Sequence, residues 1–225
     1  MSMTDTANDS GPGRRHDRIV IRPYDPGWPE LFTEQAGRLT SVLGSQLVVP
    51  LEHIGSTSIP QLASKPIIDM LALIENYEAF EEGMTAAESI GWLRAPEPGD
   101  AGQRKWSLCY PTIEHRTHHL HVVERQSADW PQWLAFRDYL RAHPEAALEY
   151  AKLKAALAEA DDQDRARYRA AKAPYIRSIL ALALGTDSQH KHARIKLPSQ
   201  EPHPPVGGPG TASEWGHAFA SGTPG

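Results

Sequence analysis

The stretch 52-EHIGSTSIPQLASKPIIDMLALI-74 decides the fold of this chain. A short strand-like run ends in a turn of small hydroxyl residues, 55–58, and an apolar run typical of a buried strand follows Lys65. One carboxylate, Asp69, interrupts the apolar run. An ionised carboxylate is costly inside a strand that is buried on both faces, unless a cation or strong hydrogen-bond donors accompany it. Either a basic side chain neutralises Asp69 within the fold, or Asp69 faces a cleft that holds a metal ion or a substrate. We favour the cleft.

The turn before Asp69 allows two interpretations. A Gly-Ser turn after a strand exposes backbone N–H groups, and the hydroxyl group of Ser56 adds a donor, so the turn suits a phosphate group. It is not a P-loop, because no Gly-Lys-Ser or Gly-Lys-Thr follows, and it lacks the Gly-x-Ser-x-Gly pattern of the esterase elbow. In the structural alternative, Ser58 caps a short helix over residues 61–64.

The composition indicates an ordinary single-domain protein. The 225 residues are 40% hydrophobic and 23% charged, and the net charge of -5 gives no overall basic footprint for nucleic acid. The one cysteine, Cys109, lies in an apolar run and is expected to be a buried, inert thiol. No apolar run approaches the roughly 20 residues that span a bilayer. The first residues lack the apolar segment of a secretory signal. We therefore predict a cytoplasmic protein without membrane contact.

Polar, Pro- and Gly-containing segments at both ends are predicted to be disordered tails, residues 1–17 and 186–225. Between them we predict one folded domain, 18–185. Its strands are expected at 19–21, 47–54, 66–74, 92–96, 104–111 and 117–124, and its first helices at 32–43 and 76–90. Short loops between the last three strands indicate antiparallel pairing. Three helices are expected over about 129–185.

The helical section carries its own signals. Asp129 is expected to cap the first of its helices, and Pro144 suits the first turn of the second. Pro174 is expected to kink or restart the third. The predicted fold is thus α+β, with a mixed sheet flanked by helices and followed by a helical section.

The pattern HIGSTSIP…KPIID, followed by HHLHVV and FRDYLRAHP, closely resembles the GrpB-like family over about residues 19–183. The resemblance implies the fold of the nucleotidyltransferase superfamily. It also implies that Gly55 and Ser56 contact the phosphates of a nucleotide. In the superfamily, two acids spaced Asp-x-Asp or Asp-x-Glu on the next strand, and a third acid on a later strand, hold divalent metal. Members of the family are also joined to dephospho-CoA kinase domains, which implies an accessory role.

This chain departs from the superfamily in its acids. Asp69 matches the first acid, but Leu71 stands at the second position, and the later strand has no interior acid. That strand instead carries His119 and His121, which lie two residues apart and therefore on one face. His53 precedes the turn.

The candidate metal ligands are accordingly Asp69, His119, His121 and His53. One carboxylate with imidazoles suits Zn²⁺, Mn²⁺ or Fe²⁺ better than Mg²⁺. The alternative is that the imidazoles hydrogen-bond Asp69 and Ser56 without any metal. His115 and His118 lie nearer the loop and are expected to be exposed.

Cations complete the predicted phosphate site, which consists of Gly55, Ser56, Thr57, Lys65 and Arg104. Arg137 and Lys154, in the helical section, are interpreted as solvated surface charges. Trp106 and Tyr110 are expected to fill core.

These observations lead to three alternative hypotheses for the function of the protein. The first is binding of a nucleotide or phosphorylated small molecule with a divalent cation (Mg, Mn or Zn), extended to nucleotidyl transfer with Ser56 and Asp69 as catalytic residues. The second is a non-catalytic accessory module, which the missing acid at Leu71 favours. The third is a metal-dependent hydrolase that uses the imidazoles and Asp69. The sequence leaves the choice between enzyme and binding module open, and it indicates no oligomeric state.

Overall fold

A computed structural model describes residues 18–185 of the chain. The predicted tails, 1–17 and 186–225, lie outside the described residues. The elements are α1 (Trp28–Leu43), β1 (Glu52–Ile54), β2 (Ile68–Ile74), α2 (Glu81–Ser89), β3 (Leu93–Arg94), β4 (Lys105–Pro111), β5 (Arg116–Glu124), α3 (Asp129–Ala142), α4 (Pro144–Ala160) and α5 (Arg165–Gly185). Single 3₁₀ turns occupy Gly44–Gln46, Ser56–Ser58 and Glu78–Phe80.

The five strands form one mixed sheet in the order β1-β2-β5-β4-β3. β2 runs parallel to β5, and the other neighbours are antiparallel. The register places Asp69 beside Ile54 on one side and beside His119 on the other. The α+β class, the mixed sheet and the antiparallel pairing of β3, β4 and β5 are confirmed.

The two faces of the sheet are covered by different helices, because alternate side chains of a strand point to opposite faces. Met70 and Leu120 pack with Leu39 of α1 and Met84 of α2, and all four are 0% exposed. Burial of such a side chain contributes about 1.5–3 kcal/mol. On the opposite face, Leu71, Leu73 and Val123 pack against Trp130 of α3.

The helical section has a core of its own, which includes Leu62, Leu140, Tyr150 and Ile179. α4 begins at Pro144 as expected. Asp129 does not cap α3 as expected, because it is the first residue of that helix and Ala128 occupies the N-cap position. The N–H group of Asp129 donates to Ser127 Oγ at 3.2 Å. α5 is continuous through Pro174 and does not restart there.

Several strand predictions were too long. Residues 19–21 form no strand, and only an isolated bridge joins Arg22 to Ser64. The strand expected at 47–54 is reduced to Glu52–Ile54, because Pro50 has no N–H group to donate to a neighbouring strand. The helix expected over 61–64 is absent, and the turn at Ser56–Ser58 takes its place.

Other predictions of burial hold. Cys109 is buried, and Trp106 and Tyr110 pack against the main core. None of the helices in residues 18–185 is both long enough and apolar enough to cross a bilayer.

Candidate functional site

The turn after β1 lies directly against Asp69. Gly55 has a φ of +68°, in the left-handed region that favours glycine. A Cβ atom on Gly55 would lie 2.9 Å from Asp69 Cβ and 3.0 Å from Asp69 Cγ, so a side chain has no room there. The hydroxyl group of Ser58 donates to the Gly55 carbonyl oxygen at 2.7 Å and closes the turn. Glycine at this position therefore brings the backbone of the turn onto the carboxyl group.

Asp69 faces a cleft and is not sealed in the core. The cleft has a volume of about 1350 Å³, and Gly55, Ser56, Lys65 and Asp69 are among its lining residues. The Asp69 side chain is 30% exposed. The structure therefore supports the interpretation that Asp69 faces a cleft, rather than the one in which a basic side chain neutralises it within the fold.

Two imidazoles share the end of the cleft with Asp69. Asp69 Oδ1 lies 3.3 Å from His119 Nδ1 and 4.0 Å from His121 Nε2. The ligand atoms of the three residues all lie within 4.8 Å of one another. Register explains the cluster, because His119 is the partner of Asp69 in the parallel pair β2–β5 and His121 follows on the same face. The ring of His121 is held edge-on against Trp133, at 4.4 Å between centroids.

The imidazoles keep the carboxyl group ionised. Burial by itself would raise the pKa of Asp69. The neighbouring imidazoles of His119 and His121 outweigh burial and hold that pKa below its usual range. The cluster thus presents a carboxylate beside two ring nitrogens.

This donor set fits a divalent cation. With metal–ligand bonds of about 2.0–2.2 Å and tetrahedral angles, the ligand atoms of a zinc site lie roughly 3.3–3.6 Å apart. The separation of 3.3 Å between Asp69 and His119 lies in that range, and the separation of 4.0 Å between Asp69 and His121 is longer than it. One carboxylate with two imidazoles suits Zn²⁺, Mn²⁺ or Fe²⁺, and it leaves coordination positions open for a substrate.

The position where the superfamily has a second acid belongs to the core. Leu71 is 0% exposed and shares the face of Asp69, where it packs with Ile54 and Trp130. Its partner on β5 is His121. An imidazole on the neighbouring strand therefore stands beside the position that lacks a carboxylate.

The predicted ligand His53 lies on the other face of the sheet. Its ring stacks on Phe32 of α1 with centroids 4.8 Å apart, and its Nε2 lies 3.1 Å from Thr57 Oγ1. Burial lowers the pKa of His53 to about 4, so the ring is neutral near pH 7. Since β1 pairs with β2 so that Ile54 takes the face of Asp69, His53 must take the opposite face.

Two further predictions need correction. The hydroxyl group of Thr57 is buried and donates to the Ile67 carbonyl oxygen at 3.1 Å, so it serves the fold rather than a phosphate site. His118, expected to be exposed, is 4% exposed, and its Nε2 lies 3.3 Å from the Leu31 carbonyl oxygen. His115 is exposed as expected.

Arg104 lies far from the turn. Its guanidinium group donates to Glu124 at 2.6 Å and to Glu78 at 2.7 Å, and it covers the ring of Tyr77. Glu124 is five residues along β5 from His119, which is about 17 Å at roughly 3.4 Å per residue. The structure thus places Arg104 outside the cleft, in an ion-pair cluster.

Helices α4 and α5 supply a wall of the cleft that the sequence interpretation missed. Tyr150 and Lys154 come from α4, and Tyr168 and Lys172 come from α5. The same Tyr-x-x-x-Lys spacing occurs in both helices, which puts each pair on one helix face. Lys154 Nζ lies 4.8 Å from the centre of the Tyr150 ring, and Lys172 Nζ lies 4.6 Å from that of Tyr168. This repeated spacing was the available sequence signal.

Lys154 is buried, and its surroundings change its pKa strongly. It is 2% exposed, which contradicts its interpretation as a surface charge. Burial, with the positive charges of Lys172 and Lys65, lowers its pKa to about 7, while Asp69 acts in the opposite direction. Lys65 also belongs to the cleft, with its Nζ 5.2 Å from the centre of the Tyr168 ring.

The cleft as a whole is positively charged, with six basic and four acidic side chains among its lining residues in the described chain. The basic residues are Lys65, Arg116, Lys154, Arg165, Arg169 and Lys172, and the acidic residues are Asp69, Glu97, Asp161 and Asp164. An anionic ligand is favoured by this balance.

Arginines of α3 hold the turn in place. Arg137 is 8% exposed, and it donates to Glu52 at 2.6 Å and to the His53 carbonyl oxygen at 3.1 Å. Arg141 donates twice to the Ser58 carbonyl oxygen, at 3.0 and 2.9 Å. Arg137 is therefore a buried support of β1 and not the surface charge expected from the sequence.

Comparison with known proteins gives a consistent set of relatives. The sequence model of the family described as GrpB protein matches residues 18–182. The UPF0157 protein YqkA of Bacillus subtilis is 41% identical over 141 residues, which make up 63% of this chain and 40% of that protein. A UPF0157 protein of Pseudomonas aeruginosa is 36% identical over 75% of this chain and 69% of its own length. The chain therefore spans less than half of the Bacillus relative.

A solved structure and a kinase complete the comparison. The crystal structure of the conserved protein GrpB from Enterococcus faecalis superposes with a TM-score of 0.65 at 36% identity, over 74% of this chain and 98% of that one. A dephospho-CoA kinase of Mycolicibacterium paratuberculosis is 26% identical over 71% of this chain, a match that covers 44% of the kinase. The expected relation to dephospho-CoA kinases is thus present as similarity to part of such a protein.

Proposed function

The chain belongs to the GrpB family, and from that premise we propose that its cleft binds a nucleotide or another phosphorylated small molecule together with a divalent cation. One observation carries the proposal. The Gly55–Ser56 turn, the carboxylate of Asp69 and the imidazoles of His119 and His121 line one positively charged cleft. The cytoplasmic location expected from the sequence stays a prediction.

Each group has a distinct part in this proposal. Ser56 donates its hydroxyl group to a phosphate oxygen, and Gly55 allows the backbone of the turn to approach the phosphate closely. Asp69, His119 and His121 hold the cation. A bound divalent cation supplies Lewis-acid polarisation of a phosphoryl oxygen. The positive wall of α4 and α5 favours entry of the anionic substrate.

Isothermal titration calorimetry tests the binding. Wild-type protein is titrated with nucleoside triphosphates in the presence of Mn²⁺, beside the variants Asp69→Asn and Arg104→Met. Asp69→Asn keeps the shape of the side chain and removes its charge, and we expect at least roughly tenfold weaker binding. Arg104→Met removes a cation outside the cleft and should bind as the wild type does. Absence of heat with every nucleotide, or unchanged binding by Asp69→Asn, contradicts the proposal.

The proposed reaction at this site is nucleotidyl transfer, with Ser56 holding the phosphates and Asp69 placing the cation. Release of pyrophosphate from a bound nucleoside triphosphate, lost in Asp69→Asn, is the expected result. The alternative reaction is metal-dependent hydrolysis, which the two imidazoles beside Asp69 suit. Hydrolysis of a phosphate monoester would release inorganic phosphate and a free alcohol.

A second candidate is binding without turnover. Leu71 favours it, because that buried side chain leaves one carboxylate where two-metal phosphoryl transfer uses a pair. The similarity to part of a dephospho-CoA kinase also fits an accessory domain. Saturable nucleotide binding with no product from any substrate would establish this candidate over the enzymatic one.

A further inference from the structure

The cleft contains a cluster of ammonium groups that the cation site does not use. We propose that Lys154 and Lys172, with Lys65, form a subsite that binds a phosphate group carrying two or more negative charges, without any metal ion. The inference rests on the proposed function, because it identifies which part of the phosphorylated substrate the helical wall recognises.

Each of the three ammonium groups lies beside the ring of a tyrosine that lines the cleft. Lys154 Nζ lies 4.8 Å from the centre of the Tyr150 ring, while Lys65 Nζ and Lys172 Nζ lie 5.2 and 4.6 Å from that of Tyr168. A cation near the face of an aromatic ring is stabilised without a counter-charge. Tyr150 and Tyr168 are each 3% exposed, which fixes the platforms in position.

The charges of Lys154 and Lys172 are not balanced by a contacting carboxylate within the described chain. Lys154 is 2% exposed, and its hydrogen-bond partner is the neutral hydroxyl group of Ser64, 3.2 Å from Nζ. Within residues 18–185, no carboxylate lies within 4 Å of the Nζ atom of either Lys154 or Lys172. A buried ammonium group without a counter-ion is costly, and a cation kept in that condition at a cleft indicates that a ligand supplies the negative charge.

The subsite adjoins the turn. Tyr150 and Ser56 line the same cleft, and the Tyr150 ring underlies Lys154. The charge of Asp69 acts on both Lys154 and Lys172, so the lysines also lie near the cation site. Ser56, Lys154 and Lys172 line the same cleft, so one substrate with several phosphate oxygens can contact both the turn and the lysines.

The test is calorimetry on the full chain in EDTA at low salt, with inorganic phosphate, pyrophosphate and ATP as probes and acetate as a monoanion control. We expect pyrophosphate and ATP to bind and acetate not to bind. Lys154→Met and Lys172→Met should each weaken binding at least roughly tenfold, since a charge-assisted contact is lost. Lys152→Met is the matched control, because Lys152 lies on the same helix, is exposed and should leave binding unchanged. Thermal melts of each variant establish that it is folded.

The outcomes separate this inference from the proposed function. Metal-free binding that is lost in the Lys154 and Lys172 variants supports the subsite. If binding of nucleotide with Mn²⁺ is also unchanged in Asp69→Asn, the cation site is refuted while the subsite stands. Tight nucleotide binding that requires Asp69 but is unaltered in both lysine variants overturns the subsite alone. Absence of metal-free binding by all three phosphate probes also overturns it. Equal affinity for inorganic phosphate and ATP would identify a free phosphoanion as the ligand, and tighter binding of ATP would identify a phosphate ester.

Discussion

Replacement of Lys154 by methionine should stabilise the protein in a pH-dependent way. Lys154 is 2% exposed, and burial with the charges of Lys172 and Lys65 lowers its pKa from 10.5 to about 7. At about 1.4 kcal/mol per pKa unit, the protonated form costs the folded state up to about 5 kcal/mol. Loss of the hydrogen bond to Ser64 offsets about 1 kcal/mol of the gain.

The sign of the pH dependence follows from the lowered pKa. The unfolded chain keeps its lysine protonated up to about pH 10.5, whereas the folded protein releases that proton above about pH 7. Wild-type stability therefore carries the full cost below pH 7, and the cost decreases as the pH rises from 7 toward 10.5. The advantage of Lys154→Met should shrink by about 2–3 kcal/mol between pH 6 and pH 9.

Urea denaturation monitored by tryptophan fluorescence at pH 6 and pH 9 measures this difference. Lys152→Met, which changes an exposed lysine of the same helix, should shift the free energy of unfolding by less than about 0.5 kcal/mol at both values. If Lys154→Met is destabilised equally at both pH values, Lys154 is not a buried cation whose protonated form destabilises the folded state. Reduced phosphate binding by a variant that is more stable than the wild type cannot be attributed to misfolding.

Three further predictions concern the turn and its surroundings. Gly55→Ala should lower the free energy of unfolding by about 2 kcal/mol or more, because the new Cβ atom clashes with Asp69 and alanine is strained at the positive φ of this position. The clash should also abolish Mn²⁺ binding. Chemical denaturation measures the first effect and metal titration the second. Arg137→Met should cost about 1–3 kcal/mol, because a buried guanidinium group loses its hydrogen bonds to Glu52 and to the His53 carbonyl oxygen. A cost below about 0.5 kcal/mol in urea denaturation would indicate an ordinary surface pair. Arg104→Met should leave the Kd for nucleotide within about twofold of the wild type, and weaker binding in calorimetry would place Arg104 in the site after all.

Part of the site could be predicted from strand geometry alone. Side chains alternate along a strand, so His119 and His121 had to share a face, and Asp69 lies in the strand beside them. His53 was assigned incorrectly because its face depends on the pairing of β1 with β2, which no local pattern reveals. Once Ile54 is opposite Asp69, His53 points into the core beside α1.

The helical wall could not be found from local patterns. Lys154 is 90 residues from its partner Ser64, and a lysine on a helix is a surface residue in most proteins. Its burial depends on how α4 and α5 pack against the turn, which is tertiary information. The repeated spacing of Tyr150 with Lys154 and of Tyr168 with Lys172 becomes meaningful once both helices are known to face one cleft.

Arg104 shows the opposite error. It was assigned to the phosphate site because it begins a strand beside His119, but the register pairs the start of β4 with the far end of β5. The guanidinium group consequently meets Glu124 and Glu78 instead of the turn.

Anomalous diffraction at the manganese edge, from crystals grown with Mn²⁺ and a non-hydrolysable nucleoside triphosphate, tests the role of the cleft most directly. We expect an anomalous peak at about 2.2 Å from Asp69 Oδ1, His119 Nδ1 and His121 Nε2, with phosphate density beside Ser56 and Lys154. A nucleotide bound elsewhere on the protein, or a cleft that stays free of both metal and phosphate at saturating concentrations, would contradict the function proposed for this site.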